Sequence, residues 1–169
     1  MRTAAAGLSL LLIGSVFLLP DSAPRESARI IRVISADTLT VLYLGHWEEI
    51  KLIGSEAPPT MLNDRAYELA LKNSTTPDEI VRRGLNACEA VKGLLRYGSQ
   101  VWLEFDVRKR DRYKRLLGYV YLADGRMLNE IVLRQGLAQL FQVPPNLRYS
   151  LHFQEIARLA RRDAMRRGR

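Results

Sequence analysis

Between Arg29 and Ile53 the apolar positions come in short bursts: Ile30-Ile31-Arg32-Val33-Ile34, Leu39-Thr40-Val41-Leu42-Tyr43-Leu44 and Ile50-Lys51-Leu52-Ile53. Runs of this length predict three strands, with tight connections at Ser35-Ala36 and Gly45-His46. Pro58-Pro59 ends the third, because proline cannot donate to a ladder and restricts the residue before it. The pattern then changes to helical spacing. Met61 to Lys72 reads as a short helix and Asn73-Ser74-Thr75 as a break. Thr76-Pro77-Asp78-Glu79 is a capping box with proline at the first helical position. It opens a helix whose apolar face, Ile80, Val81, Leu85, Cys88, Val91 and Leu95, runs to a stop at Tyr97-Gly98. Two more strands follow, Val101 to Val107 and Leu116 to Leu122, around a charged loop at 108–115. Ala123-Asp124-Gly125 is a turn, and helices are predicted from Asn129 to Gln135 and from Ser150 to Arg167.

Five short strands with a helix between the third and fourth predict an α+β protein built on a five-stranded Greek-key barrel of the OB type, a fold that often binds oligonucleotides. Trp47 and Trp102 fall in the strand patterns and are expected in the core. His46 and His152 lack ligand-like neighbours and are read as structural or exposed. A chain of 169 residues, 47% of them apolar, supports one ordinary core and is short for two.

The first twenty residues carry Arg2, then an uncharged apolar run from Ala4 to Leu19, then the polar Asp21-Ser22-Ala23-Pro24. This is the pattern of a signal peptide or N-terminal anchor, so residues 1–28 are set apart from a domain at 29–169 and the protein is expected to be exported, periplasmic or secreted. The single cysteine, Cys88, cannot make an internal disulfide, and its helical spacing predicts a buried thiol. The net charge of +8 favours a polyanionic partner. Arg158, Arg161, Arg162, Arg166, Arg167 and Arg169, against Asp163 alone, suggest that the last helix meets an anionic surface.

Three segments carry a family resemblance: Val33-Ile34-Ser35-Ala36-Asp37-Thr38-Leu39-Thr40-Val41, Lys51-Leu52-Ile53-Gly54-Ser55-Glu56-Ala57-Pro58, and Arg110-Asp111-Arg112-Tyr113-Lys114-Arg115-Leu116-Leu117-Gly118-Tyr119-Val120-Tyr121. They resemble the signature segments of staphylococcal nuclease and its bacterial thermonuclease relatives, and 124–138 is similar to the family's next helix. The resemblance implies an OB-type barrel with three main helices. It also implies a calcium ion held by two acidic side chains and a backbone carbonyl, here Asp37, Glu56 and Ala57. Hard oxygen ligands suit that ion. Arg115 and Lys51 would clamp the phosphate as catalytic groups, with Tyr113 and Lys114 also contacting substrate. The departures are at the chemistry. Glu56 stands for an aspartate, Lys51 for an arginine, Ser35 for an outer aspartate and Ala36 for a turn glycine. Pro59 stands for the glutamate that acts as general base, and it cannot take a proton. A point charge in place of a planar fork weakens a phosphate clamp.

The sequence therefore supports sequence-independent binding of single-stranded DNA or RNA by a monomer, with weak or altered calcium-dependent phosphodiester hydrolysis. The alternative is a catalytically silent nucleic-acid-binding or protein-interaction module. Losing a general base costs roughly 10²- to 10⁴-fold, less than the whole acceleration of a phosphodiesterase. Replacing Asp37 is expected to leave the fold intact, as for any solvated carboxylate at a strand end.

Overall fold

A computed structural model describes residues 24–167. Residues 1–23, which hold most of the segment expected at 1–28 to be a signal peptide or anchor, and the last two residues of the chain lie outside the described residues. In chain order the elements are β1 (Glu26–Ser35), β2 (Thr38–Tyr43), β3 (His46–Leu52), β4 (Gly54–Glu56), α1 (Asp64–Lys72), α2 (Pro77–Leu94), β5 (Gln100–Arg110), β6 (Leu116–Tyr121), α3 (Leu128–Arg134), β7 (Gln139–Phe141) and α4 (Ser150–Arg167). Strands β1-β2-β3-β6-β5 close into a barrel, all pairs antiparallel except β3 with β6. This is the five-stranded barrel expected from the strand pattern. Its closure depends on β1, whose register shifts between Ile30 and Arg32 and between Val33 and Ser35 bend it so that one strand pairs with both β2 and β5.

Inward-facing positions fill the barrel: Leu39 and Val41 from β2, Ile50 and Leu52 from β3, Val101 and Leu103 from β5. Helix α2 covers one end with Val91 and the buried Cys88, whose thiol donates to the Ile34 carbonyl. Thr76 caps that helix by accepting from the Glu79 N–H, as the capping box predicts. Helix α1 starts three residues later than expected, because Asn63 takes the capping role and leaves Met61 and Leu62 exposed. Trp47 is 74% exposed, not in the core, because β3 begins at His46 and its first residues lie beyond the barrel's buried face. His46 and His152 are exposed.

Two features of the fold were not in the sequence pattern. The third apolar run does not continue past Ile53. Gly54 adopts φ +83°, a left-handed conformation that glycine tolerates best, and redirects the chain into β4, which pairs with the short β7. The buried Asn129 of α3 then locks the junction: its side chain accepts from the Val120 N–H at 3.0 Å and donates to the Ile53 carbonyl at 2.8 Å.

A second core lies under α4, where Phe153 and Ile156 meet Tyr119, Tyr121 and Leu133. The tyrosine hydroxyls point at two acids, the buried Glu104 and the half-buried Asp106. Tyr121 and Tyr149 donate to the fully buried Glu104 at 2.8 and 2.9 Å, and Tyr119 donates to Asp106 at 2.9 Å. Burial, reinforced by these hydrogen bonds, pushes Tyr119 and Tyr121 far above the ordinary tyrosine value. A folded-state value raised above the unfolded one leaves stability intact below about pH 10 and lowers it as the unfolded chain alone ionises. Each tyrosine should then remove about 1.4 kcal/mol per pH unit above pH 10. Urea midpoints measured from pH 8 upward should stay level and then fall. Tyr121→Phe should flatten that fall, and an unchanged slope would contradict the assignment.

Candidate functional site

The two-residue turn Ala36-Asp37 between β1 and β2 is drawn inward, and Asp37 is 3% exposed. Its carboxylate accepts four hydrogen bonds. Oδ1 takes the Ser35 and Thr38 hydroxyls at 2.8 and 2.9 Å, and Oδ2 takes the Lys51 ammonium at 2.5 Å and the Ala57 N–H at 2.6 Å. The Asp37 carbonyl also accepts from the Leu52 N–H. One aspartate therefore ties the β1–β2 turn, the end of β3 and the exit of β4 together. The expectation that this strand-end carboxylate contributes little to the folded core does not hold.

Glu56, at the end of β4, is turned to Arg65 of α1 in an ion pair. The Pro58-Pro59 segment beyond it is clamped against α2: a Cβ on Gly84 would fall 2.1 Å from the Pro59 carbonyl oxygen, so only glycine permits this approach. These contacts bear on the calcium implied by the resemblance. Calcium takes six to eight oxygen ligands, whereas among the described residues no group of three His, Cys, Asp or Glu side chains is placed to hold a metal. The acceptor positions of Asp37 are all occupied by donors and Glu56 is paired to a guanidinium, so that of the three implied ligands only the Ala57 carbonyl stays open among the described residues. The residues as arranged do not fit the ion.

Across the barrel surface, the turn after β5 is built around Asp111. Its Oδ1 accepts from the backbone N–H groups of Tyr113 and Arg115 at 2.9 and 3.0 Å, and its Oδ2 accepts from Arg115 Nε at 2.8 Å. Lys114 closes the turn at φ +65°, an uncommon conformation for a residue with a Cβ. Beside this turn lies a cleft of about 450 Å³. Leu52, Ile53, Leu117, Phe141 and Val143 supply its apolar lining, and Lys51, Arg108, Arg112 and Arg115 its cations. Ser55 also lines it, and its buried hydroxyl has no hydrogen-bond partner among the described residues. Asn146 shapes one wall by exchanging two hydrogen bonds with the Arg108 backbone, at 2.7 and 2.8 Å.

The staphylococcal nuclease homologue model matches residues 50–166, which include the end of β3 from Ile50, all of β4 and the Asp111–Arg115 turn. The chain belongs to the staphylococcal nuclease family. It is 27% identical over 165 residues to the thermonuclease of Staphylococcus hyicus, covering 92% of this chain and 89% of that protein. It is 31% identical over 140 residues to the thermonuclease of Staphylococcus intermedius, covering 83% and 74%. With endonuclease YncB of Bacillus subtilis it shares 31% identity over 137 residues, covering 79% of this chain and 57% of that one. The domain is thus nuclease-like.

In this staphylococcal nuclease family member, the residues singled out from sequence divide into two groups. Lys51, Tyr113 and Arg115 meet at the cleft, whereas Lys114, Asp37, Glu56 and Ala57 are not among its lining residues. The left-handed backbone at Lys114 leaves its carbonyl accepting from Arg110 at 2.6 Å and its side chain outside the cleft. Lys51 and Arg115 are neutralised in place by Asp37 and Asp111. The uncompensated charge belongs to Arg108 and Arg112, neither of which has a carboxylate partner among the described residues. Arg112 instead donates to the Tyr113 hydroxyl at 2.6 Å, its guanidinium carbon 4.7 Å from the ring centre. Sequence reasoning passed over both arginines because the charged loop offers six cations and only the turn geometry separates paired from unpaired. Phe141, Val143 and Asn146 carried no periodic signal at all.

Proposed function

We propose that the domain is exported and binds single-stranded nucleic acid without sequence preference, as a monomer, the cleft receiving one nucleotide. Its phosphate lies against Arg108 and Arg112, with Lys51 and Arg115 behind them, and its base stacks or packs on Tyr113, Phe141 and the apolar lining. The observation that carries this reading is the cleft itself: two arginines without carboxylate partners stand beside an exposed tyrosine and an unpartnered buried hydroxyl at Ser55. Arginine suits phosphate because its planar fork matches two oxygens, and every base offers a face for stacking. On α4, Arg161 and Arg162 also have no carboxylate partner among the described residues and add to the positive character of the domain.

A single-stranded oligonucleotide should bind with affinity that falls as salt rises. Each lost phosphate contact reduces the slope of log affinity against log salt by about 0.7 on single strands. Arg108→Ala with Arg112→Ala should therefore lower the slope by roughly 1.4 and weaken binding at low salt at least tenfold. Salt-independent binding, or a double variant equal to the parent, would refute the assignment.

A second reading, slow endonuclease cleavage, is favoured by the nucleases among the relatives. Without a carboxylate at Pro59, the bound water has no general base there, so the cleavage rate should be small beside the binding. A cleavage assay on single-stranded DNA and RNA with calcium titrated in measures it.

A further inference from the structure

We infer that Lys51 and Arg65 supply, from within the protein, the positive charge that a divalent cation would bring to Asp37 and Glu56, so that phosphate is engaged at this site without calcium. The inference rests on the proposed reading of the cleft as a phosphate-binding site. An ionised carboxylate offers about four lone-pair directions, and at Asp37 four donors fill them at 2.5 to 2.9 Å. A metal reaching that carboxylate must displace at least one of them. Two are fixed by the fold: the Ala57 N–H is backbone, and Thr38 is a buried residue of β2. The Ser35 hydroxyl and the Lys51 ammonium remain displaceable, and the ammonium is the one whose charge opposes a cation. Displacing it costs the strongest of the four contacts, a charge-assisted hydrogen bond to a buried carboxylate.

Glu56 is engaged separately by Arg65, reaching back from the first turn of α1. That pair is partly exposed and yields more easily, so Lys51 decides the outcome. The ammonium has three donors, and Asp37 takes one. Lys51 also lines the cleft that holds Arg112 and Arg115, so the other N–H groups of the same ammonium are available to an anion there. A side chain fixed to Asp37 and facing the cleft does the work of charge placement that a loosely held ion would otherwise do, and it does so with a single positive charge.

The test uses the full chain in two arms at matched ionic strength. In the first, thermal midpoints are measured with chelator and with roughly 10 mM calcium, about tenfold above the weakest protein calcium sites. The parent midpoint is expected to be unchanged by calcium. Lys51→Ala is expected to unfold at lower temperature in chelator and to regain part of the loss when calcium is added, because Oδ2 of Asp37 is released. In the second arm, affinity for a single-stranded oligodeoxynucleotide is expected to be the same within twofold in chelator and in calcium.

A parent midpoint that rises with calcium would overturn the inference, as would a tenfold gain in oligonucleotide affinity on adding calcium. A folded Lys51→Ala protein with no response to calcium would overturn the claim that the ammonium is what excludes the ion. If Lys51→Ala does not fold, the parent midpoint alone decides. Absence of oligonucleotide binding in both conditions would fell the cleft reading instead, leaving the thermal arm to judge the lysine.

Discussion

Gly54→Ala is expected to lower the stability of the domain by roughly 3 to 4 kcal/mol, the sum of backbone strain and overpacking. Gly54 sits at φ +83°, where a Cβ costs about 1–2 kcal/mol. The same Cβ would fall 2.4 and 2.6 Å from two ring carbons of Phe153, which α4 buries in the second core with no room to withdraw. Overpacking of this kind adds about 1–3 kcal/mol. The thermal midpoint should drop by roughly 10 °C. The effect should reach the cleft, since Gly54 and its neighbours Ile53 and Ser55 all line it. A midpoint within about 2 °C of the parent would mean that the β3–β4 corner and α4 are not packed as described.

Asp37→Ala is the other large change, and the expectation drawn from sequence reverses. Removing the carboxylate strips the acceptor from two hydroxyls, one backbone N–H and the Lys51 ammonium. Breaking a buried pair in this way costs about 3–5 kcal/mol, and the partial exposure of Lys51 places the loss near the lower end. Asp37→Asn should not rescue it, because an amide that keeps its oxygen toward Ser35 and Thr38 turns its own donors toward Lys51 and Ala57. Chemical denaturation of both variants, combined with Lys51→Met in a double-mutant cycle, should give a coupling above 1 kcal/mol between positions 37 and 51. Loss of activity or binding in an Asp37 variant is then read together with its folded fraction. A variant as stable as the parent would return Asp37 to the solvated role.

How far the sequence reached follows from the range of each interaction. The five barrel strands were legible because a half-buried strand writes its burial into alternate residues, as at Leu39, Val41, Ile50 and Leu52. The start of α2 was legible because Thr76, Pro77 and Glu79 act within one turn of chain. The family could be read from ordered local segments. By contrast, β4 and β7 are three residues each and exist only because they pair with one another across the whole of residues 57–138. No local pattern encodes that pairing.

The site divides along the same line. Sequence alone determined which ionisable groups were present at 37, 51, 56, 113 and 115, and that position 59 held proline and no base. It could not determine their partners, because charge pairing is settled by distances of a few ångströms between elements far apart in the chain. Asp37 and Lys51 are fourteen residues apart and Glu56 and Arg65 nine, and folding brings each pair into contact. Tertiary structure alone therefore decided that Asp37 is a buried acceptor of four hydrogen bonds, that Lys51 and Arg115 are neutralised, and that the unpaired charge of the cleft rests on Arg108 and Arg112. Local spacing records burial and turn chemistry, whereas electrostatic partnership depends on where the closed barrel sets its loops.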